Sequence, residues 1–452
     1  MTLAEVLAIT IFLVMFGFII WGKVHRYIPA LVGAVLVLTL VLLVVMRDAS
    51  AAWNVLNLKQ VFDATFWIPG KEHIESRGIN WQTIVFIAGM MVMVEGLAKV
   101  GFFRWICLVV AKLVHYKVVP ILVTFMILSG FLSMFIDSIT VMLFLATVTI
   151  EIARLLKFDP VPLIISEIFA SNVGGSATMS GDPPNIIIGT SLGYTFTDFL
   201  ANTGMIAWAG MIVTVVFFYL IFRKHLGTFE RARGESAAGS YPQPKEAIEN
   251  TYLFGIHTGI FLLVIVMLVT HAQTGISVAF IGVIAAALTL VAAGKDAAHI
   301  TSKIDWRTLV FFIGLFVVVG GLEETGVLKA LASGIGTLSG GSITTVMAII
   351  LWVSAFASAI VDNIPFAATM VPVISELSQT MGLNLHSMAW ALALGTDIGG
   401  NATPIGASAN VVGTAISERE GYPIGWGKYL KYALPGMILV VGLCNVLLFI
   451  RY

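Results

Sequence analysis

The sequence predicts an all-α membrane protein of about ten transmembrane helices plus two re-entrant helical hairpins, built as an inverted repeat with two broken helices. Three observations predict it. Hydrophobic residues make up 58% of the chain and charged residues only 11%, far from the roughly 45–50% and 25% of a soluble domain. Apolar stretches such as "LAEVLAITIFLVMFGFIIW" from Leu3 and "IPALVGAVLVLTLVLLVVM" from Ile28 approach the roughly 20 residues that a helix needs to cross a hydrocarbon core. The two halves also match at a constant offset of 225 residues, as between Trp81 and Trp306.

The elements follow in order. Spans are expected at 3–21, 28–46 and 81–98, then a helical pair over 118–156 broken around Asp137, an interrupted span at 161–193 and a further span at 200–222. The first apolar run lacks a basic leader and a small-residue cleavage site, so it is expected to be retained. The runs are continuous rather than alternating, which argues against a β-barrel. "RKHLGTFERARGESAAGSYPQPKEAIEN", 223–250, reads as a linker between a first repeat (1–222) and a second (251–452).

Whether the 118–156 pair dips in and returns or crosses twice, five other crossings remain, and an odd number inverts the second repeat. Loop charge supports this. With the N-terminus outside, the segments 22–27, 99–117, 151–159, 223–250, 294–307 and 419–431 face the cytoplasm and hold 19 of the 25 Lys and Arg. Four of the other six lie in the nearly neutral connection 47–80. "FFRWICLVVAKLVHY", Phe102 to Tyr116, is taken as interfacial because basic residues flank and interrupt it; as a span it would break the parity.

Two aspartates, Asp137 in "SMFIDSITVM" and Asp362 in "SAIVDNIPFA", lie 225 residues apart inside apolar runs. A charge at membrane depth costs about 2.5–3.5 kcal/mol on insertion scales. A break between half-helices compensates, because free N–H groups and a positive dipole end face the carboxylate. Ser138, Asn363 and Pro365 suit such breaks. A plainer alternative makes the aspartates helix caps alone, but Ser or Asn could cap without a formal charge.

The glycine-rich stretches "SNVGGSATMSGDPPN" and "TDIGGNATPIGASAN" interrupt a second pair of helices, since glycines relax the backbone and Pro183 and Pro184 remove amide donors. Irregular backbone is allowed at membrane depth where it lines a cavity or is buried in protein. Gly174, Thr178 and Asn185 align with Gly399, Thr403 and Asn410, whereas Asp182 aligns with Ala407 and Asp397 with Asn172. Asn172, Gly174, Thr178, Asp182, Asn185, Asp397, Asn401, Thr403 and Asn410 therefore join Asp137, Ser138, Asp362 and Asn363 as candidate site residues, with Na⁺ expected at Asp137, Asn185, Asp362 and Asn410. Oxygen ligands of this kind suit Na⁺ or, through a carboxylate, a proton. The unmatched acids could separate a coupling-ion site from a substrate site. Glu167 sits within a span and either belongs to the site or pairs locally, while Glu95, Glu151 and Glu376 read as boundary charges.

Cys107 and Cys444 are expected to pack, and no histidine spacing suggests a metal. No Walker-type loop appears, which points to gradients rather than ATP within this chain and leaves a separate ATPase subunit open as a partner. Zero formal net charge gives no support for a nucleic-acid partner.

Through "VDNIPFAATMVPVI", "NVGGSATMSGDPPNIIIG" and "GGNATPIGASANVVGTAISEREGY", the chain resembles the P-protein branch of the ArsB/NhaD-type permeases. Their ion-transporter superfamily, with its citrate-transporter-like domain, includes arsenite permeases, sodium/proton antiporters and divalent-anion/sodium symporters. The likeness runs from Trp81 to Tyr422. It implies inverted repeats, two re-entrant hairpins, two broken helices, commonly a homodimer, and elevator-like movement. In the divalent-anion symporters the hairpin tips resemble Ser-Asn-Thr, whereas Asp-Ser-Ile and Asp-Asn-Ile stand here, and a carboxylate at each tip would repel a dianion unless neutralised. No three-cysteine trap for trivalent arsenic is present.

The expectation is a secondary active transporter, not an enzyme, coupled to H⁺ or Na⁺, without other cofactors, in a bacterial or archaeal plasma (inner) membrane. Its specific substrate is expected to be arsenite or antimonite; a Na⁺/H⁺ antiporter is the alternative, and a passive channel a further one.

Overall fold

The computed structural model describes residues 1–67, 78–233 and 241–452. Parts of the 47–80 connection and of the 223–250 linker therefore lie outside the described residues. The first half contains α1 (Leu3–Trp21), α2 (Tyr27–Leu36, continued by π-helical Val37–Val45), α3 (Trp81–Lys99), α4 (Phe102–Leu113), α5 (Val118–Ser133), α6 (Ser138–Leu156), α7 (Val161–Gly175), α8 (Pro183–Leu192) and α9 (Met205–Arg233). In the second half come α10 (Thr251–Thr274), α11 (Val278–Ala293), α12 (Trp306–Glu324), α13 (Val327–Ser339), α14 (Ile343–Ile360), α15 (Asn363–Met381), α16 (Leu385–Gly399), α17 (Ser408–Arg419) and α18 (Trp426–Arg451). Each element of the first half has its counterpart nine labels later. Among the described residues there is no β-strand, and the chain is an integral, multi-pass membrane protein.

Local chemistry sets the same boundaries twice. Asn80 accepts the Thr83 amide to start α3, and Asp305, 225 residues on, accepts the Thr308 amide to start α12. Asp137 caps α6 through Thr140 N, and Asp362 caps α15 through Ile364 N. Both aspartates thus do what a cap does, whatever else they do.

Packing repeats as well, with partners exchanged between halves. Helix α3 packs on α11 and α12 on α2. A Cβ on Gly89 would stand 2.1 Å from Gly282 O, and one on Gly314 would stand 2.7 Å from the Ala30 carbonyl carbon, so both crossings bring backbone against backbone. These helices, with α1 and α10, form one body. Helices α5–α9 and α14–α18 form another, in which α5 packs on α7, α14 on α16, α6 on α17 and α15 on α8.

Two amphipathic helices connect the bodies. Helix α4 has 12 residues, about 18 Å of rise, short of a roughly 30 Å hydrocarbon core. It buries Phe102, Phe103, Cys107, Leu108 and Ala111 and exposes Arg104 and Lys112, as an interfacial helix should. Arg104 on α4 pairs with Glu151 on α6 at 2.6 Å, and the equivalent Lys329 on α13 reaches Glu376 on α15 at 3.8 Å. Two of the three acids read as boundary charges are therefore ion-paired across the connectors.

Ten helices among the described residues are long and apolar enough to cross a membrane. They are not the ten crossings expected: α6 and α14, each one arm of a broken pair, are among them, and the interrupted α7–α8 and α16–α17 are not. Length and hydropathy pass the hairpin arms and miss helices whose polar breaks are buried in protein.

Candidate ion-binding site

The breaks fall where glycine, proline and aspartate placed them. Helix α7 stops at Gly175 and α8 begins at Pro183; α16 stops at Gly399 and α17 begins at Ser408. Each break is folded back by the same three contacts. Thr178 Oγ1 donates to Met134 O, and Thr403 Oγ1 to Ala359 O, which ties each break to the tip of its own hairpin. Asn185 Nδ2 donates to the carbonyls of Gly175 and Thr178 at 3.1 Å each, and Asn410 Nδ2 donates to those of Gly400 and Thr403 at 2.7 Å each. Gly181 and Gly406 lie where a Cβ would meet the carbonyls of Ser133 and Ser358 at 2.6 and 2.7 Å. Gly174 serves packing instead, since its Cβ would meet Gly130 O on α5 at 2.1 Å.

Asp182 joins the two hairpins. It is 3% exposed. Ser138 Oγ, at the first tip, donates to its Oδ1 at 2.8 Å, and Asn363 Nδ2, at the second tip, donates to its Oδ2 at 2.7 Å. One carboxylate from a break thus holds a residue of each hairpin. Its counterpart Ala407 can do nothing similar.

The tip aspartates part company. Arg26, in the α1–α2 connection, donates from Nη1 to Asp362 Oδ2 at 2.7 Å and to Ser408 Oγ at 3.2 Å, and from Nη2 to Thr308 Oγ1 at 2.9 Å. Among the described residues Asp137 bonds only its own first turn, accepting from Thr140 N at 2.9 Å and Thr140 Oγ1 at 2.7 Å. It lines a mostly apolar pocket with Phe86, Met90, Met91 and Phe312. Asp137 and Asp362 thus have different hydrogen-bond partners, and Asp182, held by the residue that follows each of them, feels the charge of both. Arg26 was hidden in the sequence because it lies in a short loop, where it counts as one more cytoplasmic charge, and its partners are hundreds of residues away.

Deeper in the breaks, Asn172 Nδ2 donates to Asn401 Oδ1 at 2.9 Å and Asn410 Oδ1 at 2.8 Å. Asp397, the counterpart of Asn172, is fully buried, and among the described residues neither of its oxygens has a short hydrogen bond. Asp182 and Asn185 stand beside it. Glu167 stays apart: Thr149 Oγ1 donates to its Oε1 at 2.7 Å, so it has a local partner outside the breaks.

The two bodies meet out of register. At the start of α3, Asn80 Nδ2 donates to Thr190 Oγ1 at 2.8 Å and Thr83 Oγ1 shares a 2.8 Å bond with it, near the end of α8. At the start of α12, Thr308 is linked through Arg26 to Ser408, the first residue of α17 and the counterpart of Pro183. Positions 183 and 190 of one repeat are about 10 Å apart along a helix.

A family model described as a citrate transporter matches residues 16–395. A 46 kDa membrane protein of Mycobacterium leprae is 34% identical over 99% of this chain and 99% of its own length. An uncharacterized transporter of Mycobacterium tuberculosis is 35% identical over 83% of the chain and 87% of its own. The P protein of Homo sapiens is 26% identical over 96% of the chain but only 58% of its own length. Among solved structures, the Alcanivorax borkumensis YdaH transporter superposes with a TM-score of 0.54 at 15% identity, covering 90% of this chain and 89% of that one, a likeness of fold.

Proposed function

This chain belongs to the citrate transporter family, and from that premise we propose that it is a secondary active transporter whose cargo moves with H⁺ or Na⁺ between the two hairpin tips and the two helix breaks. That it is a membrane transporter follows from the family. The coupling, the site and the cargo are the proposal.

The register difference between halves carries it. In an inverted repeat, sliding one body along the other raises the register in one half and lowers it in the other. The two starts, α3 against Thr190 and α12 linked to Ser408, are what a displaced body gives, and exchanging them corresponds to a travel of about 10 Å. An elevator-like movement of α5–α9 and α14–α18, connected through α4 and α13, fits that displacement. The repeats 1–222 and 251–452, the cytoplasmic linker 223–250, a homodimer and a bacterial or archaeal plasma membrane complete the reading.

For the cargo, Arg26 favours a small oxyanion. Its guanidinium fork matches paired oxygens, and by neutralising Asp362 it removes part of the repulsion that two tip carboxylates would exert. Arsenite or antimonite efflux remains the specific proposal, and because the trivalent acid is mostly uncharged near neutral pH it escapes the repulsion of the tip carboxylates and is recognised through oxygen contacts rather than as an anion. Na⁺/H⁺ antiport is the second reading, favoured by the buried Asp182–Asp397 neighbours, which could exchange one cation for another.

Liposomes decide between them. Oxyanion uptake under an imposed proton gradient, with citrate as a parallel arm, supports the first reading; a pH change driven by a Na⁺ gradient alone supports the second. Asp137→Asn and Asp362→Asn are each expected to abolish coupled flux in folded protein. Conductance without obligatory counter-flux would indicate a channel. The travel is tested by cross-linking: a Thr308→Cys/Ala415→Cys pair is expected to join only when the body has moved, and failure under every gradient contradicts the movement.

A further inference from the structure

Away from the hairpin tips and the breaks, a cavity of about 410 Å³ opens between α7, α9 and α18, with Asp159, Ile165, Phe222, His225, Lys428 and Tyr432 among its lining residues. These three helices pack on one another. Each meets a segment rich in Lys and Arg here: α7 follows 151–159, α9 runs into 223–250, and α18 starts within 419–431. Two of them, α9 and α18, belong to helices long and apolar enough to span a membrane, and the cavity lies near their charged ends, where a bilayer presents its headgroups.

The walls change chemistry with depth. Asp159 precedes α7 and Ile165 lies four residues past its first residue, Val161; Lys428 stands near the start of α18 and Tyr432 four residues further in; His225 lies toward the end of α9 and Ile221 four residues deeper. Four helical residues span about 6 Å. All three helices thus place an ionisable group at the mouth and an apolar or aromatic one a turn below it. Phe222 and Tyr432 meet at 4.9 Å and close the floor, while Ile221 and Leu220 are exposed and carry apolar surface out of the cavity along α9. Charge at the mouth is divided. Asp159 Oδ1 accepts the Val161 amide at 3.0 Å, and its Oδ2 lies 3.6 Å from Lys428 Nζ, near enough to attract but beyond hydrogen-bond length.

We propose that this cavity binds the headgroup of an aminophospholipid of the phosphatidylethanolamine class, with its phosphate at Lys428 beside His225, its primary ammonium at Asp159 Oδ2, and its acyl chains leaving past Ile221 and Leu220. Charge complementarity selects this occupant. A zwitterionic headgroup gives a partner to each member of a loosely held carboxylate and ammonium, and charge-assisted hydrogen bonds are the strong ones. An anionic headgroup leaves Asp159 with no cation of the lipid to bind, and a quaternary ammonium has no N–H to donate to it. The apolar depth and the exposed face of α9 suit a lipid rather than a free phosphate compound, and pockets between spanning helices that carry basic side chains are a recurring seat for lipid headgroups. Because α7, α9 and α18 all belong to the body that carries the hairpins and breaks, the lipid is seated on that body alone. The site does not depend on which cargo is transported.

The test uses purified full-length protein in detergent, with thermal unfolding followed as phosphatidylethanolamine, phosphatidylcholine or phosphatidylglycerol of identical acyl chains is titrated in. A lipid that binds the folded state raises the midpoint saturably. Phosphatidylethanolamine is expected to bind roughly 3–10-fold more tightly than either of the others, the value expected of one charge-assisted contact at a partly exposed site. Asp159→Asn keeps an oxygen for the Val161 amide, so it is expected to fold, to bind phosphatidylcholine as wild type does, and to lose the preference for phosphatidylethanolamine. Lys428→Gln is expected to weaken all three lipids. Native mass spectrometry of the same samples counts the retained lipid directly and separates binding from a general change in stability. Equal affinities for the ethanolamine and choline lipids in wild type overturn the headgroup assignment, as does an undiminished preference in Asp159→Asn or tightest binding of phosphatidylglycerol. A midpoint that no lipid moves, or lipid retention unchanged in Lys428→Gln, overturns the cavity as a lipid site.

Discussion

The two halves of this chain are close copies in backbone chemistry and unlike copies in charge. Both cap the second hairpin arm with aspartate, both pin the break with an asparagine and a threonine, and both cross a scaffold helix where two backbones touch. Yet Asp137 has no ion-pair partner among the described residues while Asp362 has Arg26, and the first half carries Asp182 where the second carries Ala407. The shared features build the scaffold. The unshared ones place charge, and function is expected to follow them.

The comparison breaks most severely at Asp182, because this one side chain accepts from both hairpin tips. Asp182→Ala is expected to abolish transport and to destabilise the folded protein by about 2–4 kcal/mol, since two buried donors lose a charged acceptor. The introduced residue is the one that the second half already carries. Ala407→Asp, the reciprocal change, gains no tip donors and is not expected to rescue it. Liposome flux together with thermal unfolding checks both; retained flux in Asp182→Ala would show the hub to be dispensable.

Arg26 comes next. Removing its guanidinium leaves Asp362 accepting from the Ser408 hydroxyl and the Ile364 amide. Because the pair is partly exposed, at 26% and 15%, Arg26→Ala is expected to cost about 1–3 kcal/mol, and Arg26→Lys to recover only part, since a single ammonium cannot reproduce three forked contacts. Asp362→Asn in the Arg26→Ala background is expected to restore stability relative to the single variant, because the unpaired charge is gone. An additive double variant would mean that the two side chains do not interact.

How much of this was legible beforehand divides along the same line. The repeat, the breaks and the short amphipathic α4 could be read because glycine, proline, capping and basic residues act locally, within a turn of where they stand. The candidate list contained Asp182, Asp397 and Asn172, since misalignment between repeats is itself a signal. What could not be read was who meets whom. Ser138 and Asn363 converge on Asp182 from 44 and 181 residues away, and Arg26 reaches Asp362 across 336. The first two contacts are set by how the two halves pack within one body and the third by how the bodies dock, neither of which a local pattern encodes, so the role of Asp182 as the link between the tips was not legible.

The scaffold crossings sharpen the comparison at a smaller scale. Gly89→Ala would put its Cβ 2.1 Å from Gly282 O, whereas Gly314→Ala meets the Ala30 carbonyl carbon at 2.7 Å. Both are expected to destabilise the folded protein by about 1–3 kcal/mol through overpacking, read as a lower unfolding midpoint, with Gly89→Ala the worse. Gly282→Ala copies what Ala30 already does in the other crossing and is expected to cost least of the three; a larger loss there would mean that the crossings are not equivalent.

The smallest effect is expected at the connectors, where chemistry differs but position does not. Arg104 grips Glu151 through two nitrogens, at 2.6 and 3.3 Å, with about two-fifths of each side chain exposed. Lys329 approaches Glu376 only to 3.8 Å and is 73% exposed. Exposed pairs contribute about 0–1 kcal/mol and are screened by salt. Arg104→Ala is therefore expected to fall within that range and Lys329→Ala to be indistinguishable from wild type, with the difference vanishing in high salt. If the connectors bear load during a slide of one body past the other, turnover in liposomes should respond to Arg104→Ala more than the unfolding midpoint does. Equal, negligible effects on both would make α4 and α13 passive tethers whose length, rather than their charge, permits the movement.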